Sequence, residues 1–419
     1  MKIKDALYQL TKDIYEKGDV PDDYCESIIV TIPKKSGANS CGQFRTLSLL
    51  THVSKILTKI INRRIEGKVE KYLKNDQYGF RRQKDLEKAF DKVNWNRMLH
   101  ILREIDIEQQ DLRIIYSLYK NQKACIKKGE ITTNVQIKKG VQQGCTLSPP
   151  LFNCDIEKVI NIVKAKLTRL NIGIKIGGQI VSMIRFADDI LVIAESEGDI
   201  QRAAEEMDEM LRTSEMKINS TKTKILVEEM VYLGSKITSD GKSVHEIKQR
   251  IALAKIAFSK KHKLLTSKNI HLNIKKRLIK TYVWSVATYG CETWVINDTE
   301  KKQLEAFEMW CWRRMERISW IERKTNEEVL RTVGEKRTLI DAIRGRRWKM
   351  VGHALRHPEE LHNIILEGMI EGKKTAGRPR NSYIGQIKIN AKVKTFKELK
   401  EKARNQLEWR IGVVNQPSG

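Results

Sequence analysis

The chain has 419 residues and a formal net charge of +27, and 40% of its residues are hydrophobic. This length predicts about two or three domains, and the hydrophobic content excludes an intrinsically disordered chain. The charge is asymmetric, because residues 1–240 carry a net +7 and residues 241–419 carry +20. A strongly basic half predicts binding to a polyanion such as nucleic acid, and a well-solvated lysine-rich surface is the alternative.

The cysteine pattern indicates the redox compartment of the chain, and its hydropathy indicates whether it can span a membrane. The seven cysteines form no C-x-x-C pair, and no secretory leader opens the chain. Reduced thiols in an intracellular compartment are therefore expected. No apolar run reaches the roughly 18 residues that span a bilayer, so we expect no membrane association.

The first 240 residues predict a mixture of helices and strands. Apolar residues at helical spacing and short β-branched runs define the segments. Helices are predicted over 1–17, 49–69, 95–105, 109–119, 156–170 and 200–212. Strands are predicted at 28–33 and 231–234, with hairpins over 124–133 and 179–194.

Beyond residue 240 the pattern becomes mostly helical. Val244, Ile247, Ile251, Ala254 and Phe258 recur at spacings of three and four. A turn at 239–241 marks the expected domain boundary. The fold class predicted from these patterns is α+β, followed by a helical region.

Two adjacent carboxylates, Asp188 and Asp189, interrupt an apolar β-type run. Bare charges in such a run are costly unless a cation compensates them. Magnesium is held by one or two carboxylates together with substrate phosphates. The pair therefore predicts phosphoryl transfer on a nucleotide.

Two further segments are weak evidence for a catalytic site when each is considered alone. The stretch from Asp85 to Asp91, D-L-E-K-A-F-D, offers a second source of carboxylates, although an ordinary charged helix turn is the alternative. Gln143 and Gly144 lie in a loop that allows close backbone approach, although a plain loop before a helix capped by Ser148 is the alternative.

Together these segments resemble a known family. The order D-x-x-x-A-F-D, Q-G-x-x-x-S-P and F-A-D-D resembles the palm of reverse transcriptases. Flanking blocks resemble jockey-like retrotransposon polymerases that lack long terminal repeats; they lie at 42–57, 77–81, 217–224, 232–234, 289–294, 305–311, 326–330 and 377–380. The resemblance runs almost from end to end.

The resemblance implies a right-hand polymerase fold. Its fingers would occupy 1–80, its palm 81–240 with a deletion near 82–84, its helical thumb 241–335 and a basic C-terminal region 336–419. Because the chain begins within the fingers, a truncated copy without the endonuclease domain is expected.

The resemblance also implies roles for individual residues. Asp85 and Asp188 would be catalytic metal ligands, assisted by Asp189. Phe90 would exclude a 2′-hydroxyl. The remaining nucleotide-binding residues would be Gln143 and Gly144 in the pocket, Lys34, Lys35 and Arg45 at the triphosphate, and Lys222 near pyrophosphate.

The implied cofactor is Mg²⁺, as two ions, with Mn²⁺ as a substitute. The implied partners are an RNA template, a DNA primer or target and deoxynucleoside triphosphates. The expected compartment is the nucleus, where target DNA lies.

One interval departs from the family. Only Arg82-Gln83-Lys84 separates the block ending at Arg81 from Asp85, whereas the family places a helix and a strand there. Pro150 also replaces a usual aliphatic residue. We therefore expect weak or no primer extension, and a catalytically silent nucleic-acid-binding protein is the alternative function. An RNA-copying RNA polymerase is disfavoured by the bulk of Phe90.

The basic half holds three further candidate features. Lys373, Lys374, Arg378 and Arg380 predict phosphate contacts, and the G-R-P sequence at 377–379 resembles a minor-groove hook. His353, His357 and Cys311 raise the possibility of a metal site, which the lack of a C-x-x-C pair disfavours. A final group is predicted to be core aromatics rather than base-stacking platforms: Trp284, Trp294, Trp310, Trp312 and Trp320.

Overall fold

The structure is a computed structural model that divides into two compact units, Met1–Ser220 and Thr221–Gly419. It describes residues 2–33, 36–40, 43–74, 76, 93–128, 131–186, 189–220, 223–226, 229–336, 338–368 and 383–414. Each unit has its own apolar core.

Some helices of the first unit begin at side-chain caps. The Thr51 side chain accepts a hydrogen bond from the Ser54 amide, and Ser196 accepts one from the Asp199 amide. The helices are α1 (Lys2–Lys17), α2 (Asp22–Cys25), α3 (His52–Tyr72), α4 (Trp95–Glu104), α5 (Gln109–Lys120), α6 (Ser148–Arg169) and α7 (Glu197–Thr213).

Helix α6 starts eight residues before its predicted beginning at 156. It begins with Ser148, and Pro149 and Pro150 lie in its first turn, where the missing amide hydrogens cost nothing. Leu147 is the N-cap residue, so the predicted cap at Ser148 is wrong by one position.

The first unit contains one mixed sheet of four strands. Its strands are β1 (Glu26–Pro33), β2 (Phe44–Leu49), β3 (Lys123–Lys128) and β4 (Ile131–Gln136), arranged in the order β2-β1-β3-β4. β1 is antiparallel to β2 and parallel to β3, and β3 and β4 form the predicted hairpin.

Two small hairpins replace the single hairpin predicted over 179–194. The first joins β5 (Ile174–Ile176) to β6 (Gln179–Val181) through Gly177 and Gly178, both at positive φ, which glycine adopts without steric cost. The second joins β7 (Met183–Phe186) to β8 (Asp189–Val192).

The core of the first unit lies among α3, α4, α5 and α6. Each helix presents apolar residues at spacings of three and four to this core. Fully or almost fully buried members include Ile61, Ile65, Met98, Leu102, Ile114, Ile115, Phe152, Ile160 and Leu167.

The second unit opens with a hairpin and continues as helices. Its strands are β9 (Glu229–Tyr232) and β10 (Ser235–Thr238). Its helices are α8 (Val244–Lys260), α9 (His262–Leu265), α10 (Leu272–Leu278), α11 (Trp284–Ala287), α12 (Asp298–Met315), α13 (Asn326–Val333), α14 (Leu339–Arg356), α15 (Leu361–Glu367), α16 (Tyr383–Ala391), α17 (Phe396–Arg404) and α18 (Gln406–Val414).

The β9–β10 hairpin belongs to the second unit because α8 holds it. Glu246 accepts a hydrogen bond from the Lys236 amide at 2.6 Å and pairs with Arg250 at 2.6 Å. The Tyr289 hydroxyl donates to the Leu233 carbonyl at 2.6 Å. The boundary between the two compact units therefore lies between residues 220 and 221, about twenty residues before the expected boundary. The assignment of fingers, palm and thumb remains a prediction.

The tryptophans of the second unit are core residues. Trp284, Trp294 and Trp312 are 6%, 2% and 0% exposed, and Trp310 is partly buried against Phe258. The core interpretation is therefore confirmed for these four; the side chain of Trp320 lies outside the described part.

The α+β fold class is confirmed, because a unit of helices and small, largely antiparallel sheets precedes a mostly helical unit. Within the described residues, no helix is both long and apolar enough to cross a bilayer.

Candidate active site

The hairpin β7–β8 carries Asp189, the second of the two adjacent aspartates, at the start of β8. Phe186 and Asp189 face each other across the two strands, and Ile193 extends the ladder by donating its amide to the Ser182 carbonyl at 2.8 Å. The Asp189 side chain is exposed. Asp188, which follows Phe186 by two positions, lies outside the described residues.

A buried arginine lies on the strand before the aspartates. Arg185 is 0% exposed. Its Nε and Nη2 donate to the two carboxylate oxygens of Asp76 at 2.7 and 3.0 Å, and its amide donates to the Asp76 carbonyl at 2.9 Å. Backbone and side chain together therefore join β7 to the turn that follows α3.

Two residues of α6 complete this buried cluster. Glu157 lies 2.9 Å from Arg185 Nη2, and its other carboxylate oxygen accepts a hydrogen bond from the Lys74 amide at 3.2 Å. Lys164 donates to Asp76. Two carboxylates and two cations are thus paired in the interior, as buried charges require.

The electrostatics of the cluster favour the ionised form of Asp76. Burial alone raises the pKa of Asp76, but hydrogen bonds and charges from Arg185 and Lys164 outweigh burial and lower it below its usual value. For Lys164 burial is the larger effect, and it lowers the pKa of the ammonium group despite the opposing attraction of Asp76. The charge of Asp76 therefore depends on both partners.

A second ion pair holds α6 to α4. Arg97 donates from Nε and Nη2 to both oxygens of Asp155 at 2.6 Å, and from Nη1 to the Ser214 carbonyl at 3.1 Å. Asp155 is 1% exposed. Helix α6 is therefore fixed by polar contacts as well as by apolar packing.

The loop that contains Gln143 and Gly144 lies against strand β2. The Gln143 carbonyl accepts a hydrogen bond from the Ser48 amide at 2.9 Å. Gly144 has φ +103°, and a Cβ atom there would lie 3.0 Å from the Ser48 carbonyl oxygen. Glycine is needed here because this backbone conformation and this close approach leave no room for a side chain.

Both ends of the same loop are anchored. The Gly140 amide donates to the Val93 carbonyl at 2.8 Å, and Trp95 Nε1 donates to the Gly140 carbonyl at 2.7 Å. The hydroxyl of Thr146 contacts that of Thr58, on α3, at 3.2 Å. The loop is therefore a fixed element between β2, α3 and α4.

Two of the predicted site residues lie against the strand that contains a third. Gln143 and Gly144 adjoin β2, where the backbone of Arg45 pairs with Ile32. The side chain of Arg45 is not among the described parts. The other predicted residues also lie outside them, so their convergence stays a prediction: Asp85, Asp188, Lys34, Lys35, Phe90, Lys222, Lys373, Lys374, Arg378 and Arg380.

Sequence reasoning missed the buried supporting residues. Arg185 breaks an apolar strand, and Asp155 and Glu157 break an apolar helix, which are signals of buried paired charges. Asp76 gives no such local signal, because its partner is 109 positions away.

Residues 32–237, which contain the hairpin, the loop and their supporting charges, match the family described as "Reverse transcriptase (RNA-dependent DNA polymerase)". This segment is therefore a reverse transcriptase domain by family resemblance.

The relatives are retrotransposon proteins, which confirms the resemblance at that level. The chain is 24% identical over 251 residues to "Transposon TX1 uncharacterized 149 kDa protein" of Xenopus laevis, covering 53% of this chain and 19% of that protein. It is 27% identical over 228 residues to the "Retrovirus-related Pol polyprotein from type-1 retrotransposable element R2" of Nasonia vitripennis, covering 48% and 22%. The chain thus spans about a fifth of the length of these relatives.

Among solved structures, apo telomerase from Candida tropicalis gives a partial match. The TM-score is 0.43 at 12% identity, covering 88% of this chain and 73% of that one.

Proposed function

We propose that the chain is an RNA-directed DNA polymerase that transfers nucleotides with two divalent metal ions. The substrates would be an RNA template, a DNA primer and deoxynucleoside triphosphates. The jockey-like affiliation and a nuclear location belong to the same proposal.

The observation that carries this proposal is the buried support beneath the aspartate hairpin. An exposed Asp189 next to Asp188 offers hard oxygen ligands that suit Mg²⁺. Arg185, which is fully buried and held by Asp76 and Glu157, fixes the strand that leads to these carboxylates. A metal-ligand pair on a rigid strand is what nucleotidyl transfer requires.

Each remaining residue would take one role. Asp85 would face Asp188 as the second metal ligand, and Phe90 would lie under the sugar and exclude ribonucleotides. When bound, the two ions would activate the primer's 3′-hydroxyl and stabilise the leaving pyrophosphate. Gln143 and Gly144, held on β2 by Ser48, would line the nucleotide pocket.

The cationic residues would bind phosphate groups. Lys34, Lys35 and Arg45 would bind the triphosphate, and Lys222 would lie near the leaving pyrophosphate. The net charge of +20 on residues 241–419 supports binding of the template and primer backbones, with contacts from Lys373, Lys374, Arg378 and Arg380.

A second candidate function is nucleic-acid binding without catalysis. It is favoured by the interval of three residues between Arg81 and Asp85. A polymerase-derived binder would keep the basic surface while lacking productive metal geometry.

Primer extension distinguishes the two functions. The assay uses poly(A) with oligo(dT), thymidine triphosphate and Mg²⁺ or Mn²⁺, and compares wild-type protein with Asp188→Asn. We expect weak extension by the wild type, none by the variant, and equal affinity of both for the template–primer. Equal affinity with no extension by wild-type protein would support the second function and overturn the first.

A further test addresses the sugar. Phe90→Val should admit ribonucleoside triphosphates, because the smaller side chain leaves room for a 2′-hydroxyl. An unchanged preference for deoxynucleotides in an active preparation would contradict the role given to Phe90.

A further inference from the structure

A cluster of histidine and glutamate side chains lies where α14 ends and α15 begins. His353 is in the last turn of α14, and His357 follows one turn later as the C-cap residue. Their ring centroids are 4.3 Å apart. Residues four apart share a helix face, so the two imidazoles project toward the same space.

The ring of His357 is held in one tautomer. Its Nδ1 lies 2.8 Å from the carbonyl oxygen of His353. Because a carbonyl only accepts, Nδ1 carries a hydrogen and donates, so in the neutral ring Nε2 is the nitrogen with the lone pair. This is how histidine ligands of metal ions are usually oriented by the surrounding protein.

The third member of the cluster is the carboxylate of Glu360. Its Oε2 lies 3.6 Å from Nε2 of His353 and 3.4 Å from Nδ1 of His362. One ligand atom each from His353, His357 and Glu360 lies within 4.8 Å of the others. Among the described residues this group does not include Cys311, which is fully buried in a different core.

Hydrogen bonds from the backbone and from a buried asparagine fix the turn that carries these ligands. The Glu360 amide donates to the His357 carbonyl at 3.1 Å. Asn363, which is 3% exposed, donates to the Ala354 carbonyl at 3.0 Å and to Glu367 at 2.9 Å. A buried asparagine thus ties α15 to the last turn of α14, so the ligands are held close before any ion binds.

We propose that His353, His357 and Glu360 form a zinc-binding site. Two imidazoles and one carboxylate suit Zn²⁺, whereas Mg²⁺ and Ca²⁺ prefer oxygen ligands alone. Tetrahedral zinc bonds of about 2.0–2.2 Å bring ligand atoms to about 3.4 Å from one another. The side chains therefore need to close by about 1 Å, and water takes the fourth position.

The bound ion would join the end of α14 to the start of α15, and this role is independent of nucleotide transfer.

Zinc binding to the full chain tests the proposal. Untagged protein is stripped with a chelator and titrated with zinc chloride, and Co²⁺ is added separately to read coordination from its visible absorption. We expect one zinc equivalent per chain and the strong bands of tetrahedral cobalt. Hydrogen exchange should slow in residues 353–363 when zinc is added.

Three variants make the result specific. His357→Ala and Glu360→Gln should each weaken zinc binding by more than about 10-fold, remove the cobalt bands and abolish the protection. His100→Ala is the matched control, because His100 forms an exposed pair with Glu104 at 3.2 Å, and it should bind zinc as the wild type does. Absence of zinc binding by the wild type, or equal binding by Glu360→Gln, would overturn the proposal.

Discussion

The guanidinium of Arg185 and the carboxylate of Asp76 form a two-point ion pair beneath the aspartate hairpin, at 2.7 and 3.0 Å. These residues are 109 positions apart. Asp76 directly precedes the block at 77–81, and Arg185 belongs to the segment that ends in the adjacent aspartates. One buried contact therefore links two of the segments on which the family resemblance rests.

Removal of Arg185 should be strongly destabilising. In Arg185→Met the carboxylates of Asp76 and Glu157 lose a buried partner, and breaking such a pair costs about 3–5 kcal/mol. We expect the amides of residues 183–192 to exchange hydrogen much faster in the variant, as measured by mass spectrometry under native conditions.

An exposed arginine provides the control for this prediction. Arg202 pairs with Asp199 at the surface, with side-chain exposures of 58% and 22%. Arg202→Ala should change stability by less than about 1 kcal/mol. Unchanged exchange in the hairpin of Arg185→Met would show that the ion pair does not support it.

The ionisation of Asp76 should make stability depend on acid pH. Burial acts to raise its pKa, but Arg185 and Lys164 bring it below 3.8, so the folded protein holds this proton less tightly than the unfolded chain. Its stabilising contribution is therefore present above about pH 4 and is lost as the pH falls through the lowered folded pKa. Urea denaturation should show a steeper fall in stability toward acid for the wild type than for Asp76→Asn. Parallel pH profiles would assign the acid sensitivity to other carboxylates.

Elements that depend on local pattern were predictable. The helices predicted over 95–105 and 109–119 were found at Trp95–Glu104 and Gln109–Lys120, because both carry an apolar stripe at helical spacing and the Asn94 side chain caps the first of them. Apolar spacing placed the start of α6 too late, at 156, because Ser148, Pro149 and Pro150 lack apolar periodicity; the alternative of a helix capped by Ser148 was correct to within one residue.

The site was less predictable because long-range pairing determines it. Nothing near Asp76 in the chain indicates that Arg185 is its partner. Likewise, the hydrogen bond from the Ser48 amide to the Gln143 carbonyl joins two segments that share no sequence periodicity. The glycine at 144 was expected to permit a close approach, and the structure supplies the neighbouring atom, the carbonyl oxygen of Ser48.

Gly144→Ala should destabilise the loop that holds Gln143. Its φ of +103° is unfavourable for alanine, and the new Cβ atom would lie 3.0 Å from a backbone oxygen that cannot easily move. A cost of about 1–3 kcal/mol is expected. Gly67→Ala is the control, because Gly67 lies inside α3 with open space around it, and alanine there should stabilise by about 0.5–1 kcal/mol. Urea unfolding followed by circular dichroism measures both changes, and a loss of stability in Gly67→Ala equal to that in Gly144→Ala would contradict the steric explanation.

Gly352→Ala should disrupt the packing of α18 on α14. Trp348 and Trp409 stack with ring centroids 3.9 Å apart, and each indole nitrogen donates to the other residue's carbonyl, at 2.7 and 3.0 Å. A Cβ atom at 352 would lie 2.1 Å from the Trp409 indole nitrogen, so the ring must move and the reciprocal hydrogen bonds must break. Overpacking of this kind costs about 1–3 kcal/mol. We expect lower near-ultraviolet circular dichroism and faster hydrogen exchange in residues 396–410. Trp409→Ala removes the ring that the new Cβ atom would meet, so Gly352→Ala should cause little further loss of protection in that background. Equal protection in wild-type and Gly352→Ala protein would contradict the stacked arrangement.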